Sequence, residues 1–133
     1  MRVLVADDHP KVRSAIRLLL EQDADIRVLG EAVDAMGLLD WVGAACPDVV
    51  LLDWELPGRD IGELVASIRQ HCPRVDVIAM SGRPEAQRAA VVAGADAFVS
   101  KGDPPERLLE TVRNCRGTTS DEGSREVQDS GVS

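Results

Sequence analysis

Surplus positive charge, closely spaced cysteines and long apolar runs are all missing from this sequence. Its 15 Lys and Arg are outnumbered by 23 Asp and Glu, giving a net charge of −8 and a pI of about 4.7. An acidic surface repels phosphate backbones, which argues against nucleic-acid binding by this chain. No apolar run approaches the ~20 residues that cross a bilayer. Met1-Arg2 leads straight into a short strand with Asp7-Asp8 behind it, so no signal peptide fits. The expectation is a cytoplasmic protein with no membrane partner. Cys46, Cys72 and Cys115 are odd in number, far apart and not in C-x-x-C pairs. That pattern predicts reduced thiols and neither a disulfide framework nor a zinc site. Lysine is also scarce: only Lys11 and Lys101 are present, and the other basic residues are Arg. Each Lys in such a chain merits scrutiny.

What is present is ordinary for one soluble domain. At 133 residues, 44% hydrophobic and 29% charged, the chain can bury a real core. Its organising stretch is Val49-Val50-Leu51-Leu52-Asp53-Trp54-Glu55-Leu56-Pro57-Gly58. An unbroken Val/Leu run reads as a strand buried on both faces, as in a parallel sheet. Asp53 then stands at the strand's carboxyl end, the edge where open α/β sheets collect ligands.

The rest of the chain alternates strand and helix. Val3 to Ala6 is strand 1. Val12, Ala15, Ile16, Leu19 and Leu20 form the inner stripe of a helix from about Pro10 to Glu21, with Arg13, Arg17 and Glu21 on its outer face. Ile26–Gly30 is strand 2. Asp34 caps helix 2, which ends before Pro47. Helix 3 carries Leu64, Val65 and Ile68 and stops before Pro73. Val75–Met80 is strand 4. Ser81-Gly82-Arg83-Pro84 leads into an Ala-rich helix 4 that Gly94 breaks. Ala97–Val99 is strand 5. Asp103-Pro104-Pro105-Glu106 reads as a capping box opening helix 5. After Gly117 the composition turns to Ser, Thr, Asp, Glu and Gly, so the division is 1–117 for a folded domain and 118–133 for a disordered acidic tail. The fold class is α/β, a doubly wound five-stranded parallel sheet of order 2-1-3-4-5.

Polar residues then gather at one rim. Asp7 and Asp8 close strand 1, Asp53 strand 3, Ser81 strand 4 and Lys101 strand 5. Each has an ordinary reading alone: an Asp pair caps helices, Asp53 and Ser81 suit turns, and Lys101 is a solvated charge. Chance does not readily place the right type at four strand ends. Three close carboxylates need a cation, and an oxygen-only site suits Mg2+. An Asp that attacks phosphorus forms an acyl phosphate, whose oxygens a metal, Lys101 and a hydroxyl neutralise. Gly82 leaves room for that group. His9 reads as a loop residue, neither metal ligand nor general base.

These motifs resemble those of the receiver domain of bacterial two-component response regulators over residues 1–116. The matching segments are Val-Ala-Asp-Asp-His-Pro at 5–10, Leu-Leu-Asp at 51–53 with Leu56-Pro57-Gly58, Ser81-Gly82, and Phe98-Val99-Ser100-Lys101. The opening is similar to the NarL/FixJ subgroup, whose members usually carry a LuxR-type DNA-binding domain. The resemblance implies a flavodoxin-like (CheY-like) fold and phosphorylation of Asp53 by a sensor histidine kinase. It implies Mg2+ held by Asp7, Asp8, Asp53 and the backbone carbonyl of Glu55. It makes Ser81 and Phe98 the switch, and helix 4, strand 5 and helix 5 the surface for a downstream partner or a homodimer.

Departures from the family pattern are informative. Ile61 stands where Gly is usual, with Gly62 one place later. Gly102 follows Lys101 where many members have Pro. Glu55 and Arg83 occupy positions that tune phosphoryl lifetime in the family, and opposite charge across the pocket mouth suggests that they pair and limit attacking water. The expectation is a stand-alone receiver whose output lies outside this chain. It is not an enzyme beyond self-catalysed phosphotransfer and dephosphorylation. The rival readings are a LuxR-type transcriptional regulator without its output domain and an Asp-nucleophile phosphatase of the haloacid dehalogenase type. The latter class resembles Asp-x-Asp at its nucleophile, whereas Trp54-Glu55 follows Asp53 here.

Overall fold

The computed structural model describes residues 1–124, with side chains to 115. Its elements are β1 (Arg2–Ala6), α1 (Pro10–Leu20), β2 (Arg27–Ala32), α2 (Ala35–Ala44), β3 (Val49–Asp53), α3 (Ile61–His71), β4 (Asp76–Ser81), α4 (Ala86–Val92), β5 (Ala97–Ser100) and α5 (Pro105–Ser124). All neighbouring strands are parallel and the order is β2-β1-β3-β4-β5, as the alternation predicts. Strand ends shift by one or two residues from the sequence reading, chiefly because β2 runs on to Ala32.

β3 is central and buried throughout. Val50 and Leu52 join the core beneath α2, α3 and α4, while Val49 and Leu51 join the core beneath α1 and α5. Each buried Val or Leu contributes about 1.5–3 kcal/mol. A one-residue slip would exchange the two faces, so the packing of the strand fixes where Asp53 emerges. Its Val49-Leu51-Asp53 side is the one covered by α1 and α5. Ser81 follows Val77 and Ala79 on β4 toward the opposite face.

Three helix starts differ in legibility. Asp34 caps α2 as expected, accepting from Gly37 N at 2.8 Å. Asp60 caps α3 by accepting from Glu63 N at 3.1 Å. The Asp60-Ile61-Gly62-Glu63 spacing carries that signal. Ile61 begins α3 and packs on the core, so the residue that departs from the family pattern is absorbed as helix. Asp103, expected as a cap, lies too early: its carboxylate turns back to accept from Ser100 N at 3.2 Å. α5 continues past Gly117 to Ser124, into the segment expected as a disordered tail. Residues 125–133 of the expected tail lie outside the described residues.

Two glycines are sterically required. Gly58 has φ +114°, and a Cβ there would lie 3.3 Å from Ala35 N; the Pro57 carbonyl accepts from that same N–H. On edge strand β2 the pairing with β1 skips Leu29, and the Trp41 ring lies over Gly30, where a Cβ would be 2.2 Å from the ring. Trp41 Nε1 donates to the carbonyl of Glu31 at 3.2 Å.

The cysteine expectation requires correction. Cys46 and Cys72 form a disulfide, with their Cα atoms 5.6 Å apart. Their separation in sequence hides the proximity. Because β3 and β4 are adjacent, the segments that feed their starts lie side by side. Cys115 is outside the bridge; burial and the charges of Asp76 and Asp96 push its thiol up to about 12. Among the described residues no helix is long and apolar enough to cross a membrane. The bridge closes 26 residues that include β3 and α3. Loop-closure entropy predicts that reducing it costs about 3.5 kcal/mol. Urea unfolding with and without dithiothreitol measures this, and coincident midpoints would reject it.

Candidate functional site

Four of the expected residues meet at the carboxyl rim. One ligand atom from each of Asp7, Asp8, His9 and Asp53 lies within 4.8 Å of the others. Lys101 Nζ is 2.7 Å from Asp7 Oδ2 and 3.3 Å from Asp53 Oδ1. Asp7 and Asp53 are fully buried, while Asp8 is partly exposed. At an effective dielectric of about 20, two charges 4–5 Å apart interact by roughly 3–4 kcal/mol. Three carboxylates facing one ammonium therefore leave an uncompensated repulsion.

The rim backbone sets these positions. Lys101 N donates to the Ser81 carbonyl at 2.8 Å, extending the β4–β5 ladder by one rung. Trp54 N donates to Met80 O at 2.7 Å, and Glu55 N to Asp53 Oδ1 at 3.1 Å. Asp53 Oδ2 is buried and accepts no hydrogen bond. A buried carboxylate oxygen without a donor is costly, and it is the atom that a cation or an electrophile would meet. The donor set of carboxylates suits a hard divalent cation such as Mg2+, so the residues fit that ion.

Ser81, also fully buried, turns away from this cluster. Its Oγ donates to Glu55 Oε2 at 3.0 Å and accepts from Arg83 N at 3.0 Å. Arg83 Nη2 meets the same Glu55 oxygen at 3.0 Å. The charge pair inferred across the pocket mouth is present, and it also holds the Ser81 hydroxyl. Gly82 borders open space, where a Cβ would meet nothing within 4 Å, so no close contact in this structure requires glycine there. Phe98 is half-buried against the core on β5, opposite Ala79.

Two residues stand closer to the rim than the sequence pattern indicates. His9 is a loop residue, as expected, but its Nδ1 stands 2.9 Å from Asp7 Oδ1 and 3.2 Å from Asp8 Oδ1. Arg13, placed on an outer face, is only 15% exposed and bonds to the Asp7 carbonyl and Glu31. The reach of its side chain, not its helical position, decides this.

Burial and the nearby charge of Asp7 raise the Asp53 carboxyl above the usual carboxylate range, against the hydrogen bond from Glu55 N. Burial acts upward on Asp7 too, but Lys101 and His9 outweigh it and hold Asp7 below that range. Lys101 is raised: burial lowers it, and the two carboxylates more than reverse that. The folded state thus binds the Asp53 proton more tightly than the unfolded chain. Its stabilising contribution is full below the unfolded pKa and is lost as pH rises through the folded one. At pH 7 in EDTA, Asp53→Asn should therefore unfold at a higher temperature than wild type. The gap should close on acidification and with millimolar Mg2+, and thermal unfolding across pH tests it. A lower midpoint for Asp53→Asn at pH 7 would contradict the electrostatic account.

The comparisons with known proteins agree with this geometry. The family model described as response regulator receiver domain matches residues 3–113. The "Probable transcriptional regulatory protein NarL" of Mycobacterium tuberculosis is 32% identical over 117 residues, covering 86% of this chain and 54% of that protein. "Response regulator UvrY" of Escherichia coli is 34% identical over 116 residues, covering 86% and 53%. The chain thus spans about half the length of the curated relatives it matches. Among solved structures, the signal receiver domain of NarL from M. tuberculosis superposes with a TM-score of 0.78 at 32% identity, covering 86% of this chain and 94% of that one. RcsB from Salmonella enterica serovar Typhimurium, bound to promoter P1flhDC in the presence of the phosphomimetic BeF3-, gives 0.80 at 28% identity, covering 89% and 61%. With the β2-β1-β3-β4-β5 sheet and the acidic rim in place, this chain belongs to the response regulator receiver domains of two-component systems.

Proposed function

We propose that this chain is a phosphorylation-controlled switch in which Asp53 accepts a phosphoryl group from the phosphohistidine of a sensor kinase. The observation that carries the reading is the buried, donor-less Asp53 Oδ2 beside Asp7, Asp8 and Lys101. That oxygen attacks phosphorus, the P–N bond to imidazole breaks, and the imidazole leaves with the electron pair and takes a proton. Lys101 neutralises phosphoryl charge as it forms. Mg2+, held by Asp7, Asp8, Asp53 and the Glu55 carbonyl, would supply the remaining positive charge. The chain is a regulatory phosphoacceptor, with hydrolysis of its own acyl phosphate as its only turnover.

The resting contacts support a switch. Ser81 is engaged by Glu55, so rotation of its hydroxyl toward a phosphoryl group must break that bond. Phosphorylation need only favour the conformation in which the exchange has occurred. The output surface in this reading is α4, β5 and α5, where Val91 and Val92 are exposed at 58% and 81%. The partner is a downstream protein or a second copy of the chain. The net charge of −8 supports output through protein and not through nucleic acid bound by this chain. A cytoplasmic location goes with a kinase partner of this kind.

Trp54, buried beside Asp53, reports on the site. Its fluorescence should change saturably with Mg2+ and again with acetyl phosphate or beryllofluoride, and the second change should vanish in Asp53→Asn. No change, together with no mass gain from acetyl phosphate, would reject phosphoacceptance; multiple turnover of small phosphate esters would favour the phosphatase reading. Glu55→Ala and Arg83→Ala should each speed loss of the acyl phosphate. The pair is half-exposed, so the effect should stay below about tenfold. Unchanged hydrolysis in both variants would remove the lifetime role.

A further inference from the structure

We propose that Arg13 is a positioning residue for the acidic pocket: its guanidinium fixes the peptide between Asp7 and Asp8 and so aims the Asp8 carboxylate. The inference rests on the Mg2+-dependent reading above and adds to it a residue outside the rim.

Asp7 is held on every side, each time by a different partner. Its N–H donates to Ala32 O at 3.0 Å, tying it to β2. Its carboxylate meets Lys101 and His9. Its carbonyl accepts from Arg13 Nη1 at 2.8 Å. That carbonyl belongs to the Asp7–Asp8 peptide, so the bond sets the plane from which Asp8 projects. The Asp8 side chain is 40% exposed and its ion-pair contact is with the ring of His9, itself 61% exposed. Neither feature fixes the carboxylate. Its direction therefore depends on the backbone, and the backbone there depends on Arg13.

The anchor behind Arg13 is built into the sheet. Arg13 Nε donates to Glu31 Oε1 at 3.0 Å, and Arg17 Nη1 to Glu31 Oε2 at 2.7 Å. Glu31 pairs with Val5 in the β1–β2 register, two residues after the skipped Leu29, and Trp41 Nε1 donates to its carbonyl. Arg13 thus ties α1 to β2 with one nitrogen and presents another to the metal loop. That requires a planar fork; a lysine ammonium keeps the charge but not the two-directional geometry. Groups behind metal ligands commonly govern affinity in this way.

The test uses the whole chain in four forms: wild type, Arg13→Lys, Arg13→Gln and Glu31→Gln. Mg2+ affinity is read from Trp54 fluorescence, and the Asp8 amide 15N and proton shifts are read in EDTA. Both Arg13 variants should bind Mg2+ at least about tenfold more weakly and show a displaced Asp8 amide without metal. Glu31→Gln should do the same to a smaller extent. Wild-type affinity in Arg13→Lys would mean that charge alone matters and would overturn the proposal. So would an unmoved Asp8 amide in folded variants. If both Arg13 variants fail to fold, Glu31→Gln decides: unchanged shifts and affinity overturn the assignment. If wild type itself binds no Mg2+, the functional reading fails, while the metal-free Asp8 shifts still test the placement.

Discussion

Two fully buried carboxylates share one ammonium, and most of this molecule is arranged around that fact. Asp7 and Asp53 sit at the carboxyl ends of the neighbouring interior strands β1 and β3, and Lys101 reaches both from the end of β5. Burying ionised groups is expensive unless they are paired. Here the pairing is incomplete, because Asp53 keeps an oxygen without a donor. The hydrophobic cores on either side of β3 supply the stability that lets the rim remain unsatisfied. A site satisfied by its own protein would have little left to offer an incoming cation or phosphoryl group.

The strands and the rim could be read from sequence because each depends on a local pattern, and the strand order followed from the doubly wound arrangement that the alternation suggests. A buried parallel strand must be apolar along its length, so Val49–Leu52 announces itself, and Asp53 is conspicuous as the residue that ends the run. Lys101 stood out by rarity in an Arg-rich chain. The Glu55–Arg83 pair was accessible because both flank strand ends already assigned to one rim. The disulfide was not accessible: Cys46 and Cys72 are neighbours only because β3 and β4 are. Arg13 was misplaced for a related reason. Helical periodicity locates its Cα on an outer face, but a long side chain at the start of α1 can fold back onto the loop before it. His9 was read by type, while its position between two carboxylates is set by the turn that Asp7 makes with the His9 N–H.

Position within the pleat explains the arrangement around Ser81. Asp53 follows Leu51 toward α1 and α5, and Ser81 follows Ala79 toward the other face. The two side chains therefore leave adjacent strands on opposite sides of the sheet. Ser81 then finds Glu55, which the loop after β3 brings over the same face, and Arg83 completes the triangle. A hydroxyl placed so can serve the phosphoryl site only by giving up a charge-assisted hydrogen bond. Such bonds to a charged group contribute about 1.5–3 kcal/mol when well formed.

That magnitude bears on how such a switch can work. A bond of this size, with the half-exposed Arg83 adding little, is enough to keep the alternative arrangement a minor population. It is small against the electrostatic demand created when a dianionic group arrives beside Asp53. In the proposed switch, the resting state would be closed by a contact weak enough for one covalent event to overcome. Had Glu55 and Ser81 been deeply buried together, breaking them would have left an orphaned charge and a far larger penalty. Partial exposure of Glu55 lets water replace the lost partner. In that proposal Glu55 could release Ser81 at low cost, because it stands at the mouth of the pocket and not on its floor.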